Sequence, residues 1–87
     1  MSTSDGPTSS PPADVEQQLA DLVEQAEAAH AAMYDCRPSA LRGLCDDALA
    51  LLGRAARLAG SIGDIDRAIA LTARGLHIRA VYRQLRT

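Results

Sequence analysis

The sequence predicts an all-α fold, an antiparallel three-helix bundle behind a disordered N-terminal tail, and three observations carry that prediction. Ala and Leu dominate the 87 residues, followed by nine Arg, with no Phe or Trp and only Tyr34 and Tyr82 as aromatics. These are strong helix formers, and the β-branched and aromatic residues that strands favour are scarce. Apolar residues then recur at three- and four-residue steps over three segments of similar length, the period of one helix face. Pro38 and Gly63 punctuate the chain between those segments.

Residues 1–13, MSTSDGPTSSPPA, have no apolar periodicity and too little apolar surface to offset the entropy of ordering. They read as a flexible tail, and 14–87 as one domain of modest core. The first helix is expected over about 14–36. Asp14 reads as its cap with Gln17 as capping-box partner. Val15, Leu19, Leu22, Ala26, Ala29 and Met33 trace a narrow apolar stripe, and Pro38 ends the helix by disfavouring helical geometry before it.

The second helix is expected over about 39–62, starting at Pro38 or Ser39. Its apolar set, from Leu41 through Leu51 and Leu52 to Ile62, fills about half the circumference at 100° per residue. An arc that wide touches two neighbours, so this is the central helix. Gly63 suits a left-handed helix end and Asp64 a cap for the third helix, expected over about 64–86. Short connections make successive helices antiparallel. Folding back about Gly63 sets Leu58 and Ala59 opposite Ala68 and Ile69, and Leu51 opposite Leu76. The segment from Gly63 to Ile69, with Leu76 beyond it, resembles the turn and second helix of a tetratricopeptide repeat. The resemblance covers less than half the chain, lacks the aromatic positions of the first repeat helix and has no second copy. It implies a helical hairpin turning at Gly63, and no family.

Charge is unevenly divided. Seven acids and no Lys or Arg lie between Met1 and Cys36, whereas all nine basic residues are arginines from Arg37 onward. An acidic first helix is expected to complement basic neighbours within the bundle. No apolar run reaches the 18 residues of a membrane span, and the N-terminus has neither the basic nor the apolar region of a signal peptide. Two cysteines do not make a disulfide framework, so the expected setting is the reduced cytoplasm.

No catalytic constellation is expected. Cys36 and Cys45 are nine residues apart and His30 and His77 are far apart in the chain, which fits no zinc-ligand spacing. Folding about Pro38 sets His30 roughly across from Cys45, a pair that would activate a thiol; a thiol or metal enzyme is the most distant of three readings. Asp46 and Asp47 are adjacent on a helix and diverge. With no glycine-rich phosphate loop either, no cofactor and no metal is expected.

The third helix carries two apolar sets on nearly opposite faces. Ile65, Ala68, Ile69, Thr72 and Leu76 form one; Leu71, Ile78, Val81, Tyr82 and Leu85 form the other. Either the helix kinks at Gly75 so that both halves meet the core, or the second set contacts another chain. The expectation is the second. Leu71, Ile78, Val81, Tyr82 and Leu85 form an interface for self-association or for another helical protein, rimmed by Arg74, Arg79, Arg83 and Arg86. A nucleic-acid-associated regulator or packaging-type accessory using those arginines is the alternative.

Overall fold

The computed structural model describes residues 11–87 in backbone and 14–87 in side chains. Three helices run in order, α1 (Pro11–Ala32), α2 (Pro38–Ser61) and α3 (Ile65–Leu85), with no strand among the described residues. The all-α prediction holds. Among the described residues, no helix is long and apolar enough to cross a membrane.

The first ten residues of the expected tail lie outside the described residues. The other three belong to α1, which begins at Pro11 rather than Asp14. Proline suits a first helical turn, where its missing N–H leaves no bond unmade. Asp14 therefore lies inside the first turn, where its charge complements the helix dipole. The expected capping box gives way to a different pair, Gln17 Nε2 donating to Asp21 Oδ1 at 3.0 Å. The helix closes at Ala32, short of the expected Cys36, through a tightened turn in which Tyr34 N–H donates to Ala31 and Asp35 N–H to Ala32.

Pro38 opens α2 directly after the extended backbone of Arg37. Leu41, Cys45, Ala48, Leu52, Ala55 and Ala59 are its buried residues, at alternating steps of four and three. Leu44, Leu49, Leu51, Ala56 and Leu58 pack on either flank of that stripe. The central position of α2 follows: it packs against both α1 and α3, and half its buried stripe is alanine, which lets the helices approach closely.

The end of α2 is a Schellman motif. Gly63 takes φ +78, Gly63 N–H donates to Gly60 O at 3.0 Å and Asp64 N–H to Ala59 O at 2.9 Å. Asp64 then caps α3, its side chain accepting from Arg67 N–H at 3.2 Å. One residue ends a helix and the next begins another. No residue in between is free to reorient α3.

The register of α3 differs from the expectation. Leu71, Ile78 and Val81 are its buried residues, while Ile65, Ile69 and Leu76 are exposed. α3 is one continuous helix through Gly75, and an ideal Cβ built there lies 3.6 Å from Leu49 Cδ2. That is an ordinary contact distance, so neither a break in the helix nor a missing side chain is required at this position.

Candidate functional site

Two ion-pair groups join α1 to α3. Near the start of both helices, Arg67 Nη1 donates to Glu16 Oε1 at 2.8 Å and Arg67 Nε lies 3.1 Å from Asp64 Oδ2. Further along, Arg74 grips Glu27 in a fork, with Nε donating to Oε2 at 2.7 Å and Nη2 donating to Oε1. Contacts that advance from Glu16 and Arg67 to Glu27 and Arg74 make α1 and α3 parallel, as an up-down-up bundle requires. Arg67, Leu71, Arg74 and Ile78 follow at steps of four, three and four, so the arginines that find α1 carboxylates sit in the same row as the core leucine and isoleucine.

Arg74 also lies 3.3 Å from His30 Nδ1, and Glu27 Oε1 lies 3.6 Å from the same nitrogen. The other ring nitrogen of His30 is 3.3 Å from the Tyr34 hydroxyl, and the His77 ring stands edge-on at 6.0 Å. His30 is buried, and both its nitrogens have polar partners. Hydrogen bonding from Arg74 holds the Glu27 carboxyl below the usual carboxylate range, against an opposing effect of burial.

That cluster answers the thiol reading. His30 is engaged with Tyr34, Arg74 and Glu27 rather than with Cys45. Burial, with a smaller contribution from the neighbouring Asp46, pushes the Cys45 thiol up, away from the thiolate that nucleophilic chemistry uses. Among the described residues, no group of three or more His, Cys, Asp or Glu is placed to hold a metal ion.

The residues expected to form an interface are divided. Leu71, Ile78 and Val81 are in the core of the monomer, at 8%, 0% and 9% exposure, and are corrected from interface to core. Tyr82 is half-buried against that core, and Leu85 is exposed at the rim of a cleft of about 400 Å³ that Tyr82, Met33, Leu41 and Arg42 also line. Arg74 is corrected too: its partner is Glu27, inside the molecule. Arg79, Arg83 and Arg86 line a second cleft between α2 and α3, with Arg42 and Asp46 across from them, and the Arg86 guanidinium sits 5.8 Å from the centre of the Tyr82 ring.

The unburied apolar face is the opposite one. Ile65, Ile69 and Leu76 are 57%, 62% and 65% exposed. With Ala68, Thr72 and Ala73 they make a stripe along the first half of α3, whose centre forms a shallow, almost wholly apolar surface. Thr72 interrupts it only nominally, because its hydroxyl donates to Ala68 O at 2.9 Å within the helix. The stripe borders a groove of about 240 Å³ between α2 and α3, lined by Leu49, Gly53 and Ala56 on one side and Thr72, Gly75 and Leu76 on the other. The signal for this face was in the sequence: Arg67 and Arg74 alternate with Leu71 and Ile78, and α1 holds the carboxylates they need. No family model matches the chain, and neither a curated protein nor a solved structure matches it.

Proposed function

We propose that this chain is a helical protein–protein interaction module that presents the outer face of α3 to a partner helix. The observation that carries this reading is the exposed stripe of Ile65, Ile69 and Leu76, continuous with the α2–α3 groove. Single exposed apolar residues are ordinary, but three large ones aligned at helical spacing are the pattern by which a groove or face recognises an amphipathic helix. Arg79 and Arg83 continue the same row beyond Leu76, which gives the surface a charged edge. The setting that fits two free thiols is the reducing cytoplasm.

Site-specific photo-crosslinking tests this reading. A benzophenone amino acid replaces Leu76 in the full-length chain made in cells, and mass spectrometry identifies the adducts. Ala50, exposed on the outer side of α2, serves as the control position. Adducts with a defined helical partner from position 76 and not from position 50 are expected. Equal yields from both positions, or none from 76, would overturn the proposal.

A second reading is favoured by one observation, the convergence of Arg42, Arg79, Arg83 and Arg86 on one cleft. An anionic partner such as nucleic acid would find four guanidinium groups there. Asp46 lies in the same cleft, 3.9 Å from Arg42, and the chain carries net charge −2, both of which weaken it. Binding of duplex DNA or RNA that falls steeply with salt, and is lost in Arg79→Ala/Arg83→Ala, is its expected signature.

A further inference from the structure

We infer that the occupant of the outer face of α3 is a second copy of this chain, its α3 packed antiparallel to the first about a two-fold axis near Ala70 and Leu71. The inference rests on reading that face as an interaction surface, and three features select the partner.

The first is spacing. Ile65, Ile69, Thr72 and Leu76 are separated by four, three and four residues, an order that is the same in both directions. A two-fold rotation therefore lays Ile65 against the partner's Leu76 and Ile69 against the partner's Thr72, and reciprocally. Four layers form in which every apolar side chain meets another or the methyl of Thr72. Such self-complementarity is what an isologous contact demands.

The second is charge. The seam of α3 is apolar at its N-terminal end and continues into Arg79 and Arg83. Parallel pairing would set each arginine against itself. Antiparallel pairing carries Arg79 beside the partner's Ile62–Asp66 turn, where Asp66 is exposed. Among the described residues, no ion pair engages Asp66, Arg79 or Arg83, so all three are available to the partner.

The third is continuity of surface. Leu49, Gly53 and Ala56 of α2 line the groove beside Thr72 and Leu76, so a helix seated on α3 meets apolar surface from two helices. Four layers remain fewer than a standard interface of about 1,600 Å² supplies. The dimer is therefore a weak, concentration-dependent one.

Sedimentation velocity on the full-length chain, from micromolar to millimolar concentration, tests the occupant. Reversible monomer–dimer exchange is expected, and Leu76→Glu should weaken it by more than about tenfold with unchanged helicity by circular dichroism. Orientation is read by mixing two variants that each carry one added cysteine, Ile69→Cys and Thr72→Cys, in a Cys36→Ser background where the buried Cys45 is the one native thiol left. Antiparallel packing predicts that the mixture oxidises preferentially to the mixed disulfide. Preferential homodisulfides would overturn the antiparallel pairing. A wild-type chain that stays monomeric at millimolar concentration would overturn the second copy as occupant, while position-76 crosslinks to a different protein would leave the interaction surface standing.

Discussion

Leu76 and Ile78 stand two residues apart on α3, yet Leu76 is 65% exposed and Ile78 is fully sealed. The two side chains are separated by about 200° around the helix axis, so a single rotation of α3 decides which one the monomer buries. The Arg67–Glu16 and Arg74–Glu27 pairs accompany the rotation that buries Ile78.

Truncating each side chain measures this directly. Ile78→Ala is expected to cost about 2–5 kcal/mol through lost burial and a residual cavity, whereas Leu76→Ala should stay within about 0.5 kcal/mol. Ile78→Glu should unfold the chain, since it buries an unpaired charge. Urea denaturation of the purified variants gives the comparison, and similar costs at both positions would mean that α3 is rotated otherwise.

Gly63 in the α2–α3 turn and Gly75 in α3 separate backbone need from packing. Gly63 holds φ +78 in the Schellman turn, so Gly63→Ala should destabilise by about 1–2 kcal/mol. Gly75 sits in ordinary helix, and an added methyl would meet Leu49 Cδ2 at 3.6 Å, a normal contact distance. Gly75→Ala should therefore stabilise by up to about 1 kcal/mol. Melting temperatures moving in opposite directions are the expected result.

Helix number, order, the Pro38 start of α2 and the Gly63–Asp64 turn were legible because each depends on local chemistry: a fixed proline φ, a left-handed glycine, a carboxylate reaching a backbone N–H. The rotation of α3 was not, because periodicity gives two apolar faces of nearly equal strength and does not rank them. Ranking needs a long-range term, the fit between acids of α1 and arginines of α3. Ile69 and Leu76 look like core residues in the helical hairpin taken alone. They face outward in the rotation in which Arg67 and Arg74 reach Glu16 and Glu27.

The Glu27–Arg74 fork makes stability depend on pH in a definite direction. The hydrogen bond from Arg74 lowers the folded-state pKa of Glu27 below its unfolded value of about 4.3. The stabilisation is therefore present above about pH 4.3 and is lost as pH falls through the lowered folded value. Both side chains are more than a third exposed, at 39% and 38%, so solvent screening limits the effect to about 0.5–1 kcal/mol. Wild type should melt above Glu27→Gln at pH 7, with the gap closing near pH 3. A gap that persists in acid would assign it to packing instead.

The two thiols are separated by burial rather than by sequence context. Cys45 is 2% exposed within the α2 stripe, and its thiol is pushed up by desolvation and by Asp46. Both effects slow attack on a soluble disulfide, since the thiolate is the nucleophile and must also reach its target. Cys36 lies in the loop before α2, half-buried, with Sγ 3.5 Å from the Met33 carbonyl oxygen. Titration of the folded chain with an aromatic disulfide reagent should therefore show one fast-reacting thiol, and Cys36→Ser should remove it. The remaining thiol should react only through opening of the helices, and the logarithm of its rate should rise in Ile78→Ala in proportion to the lost stability. Fast reaction at Cys45 in the native chain would show that α2 and α3 separate on their own, and would reopen the α2 stripe as a reactive surface.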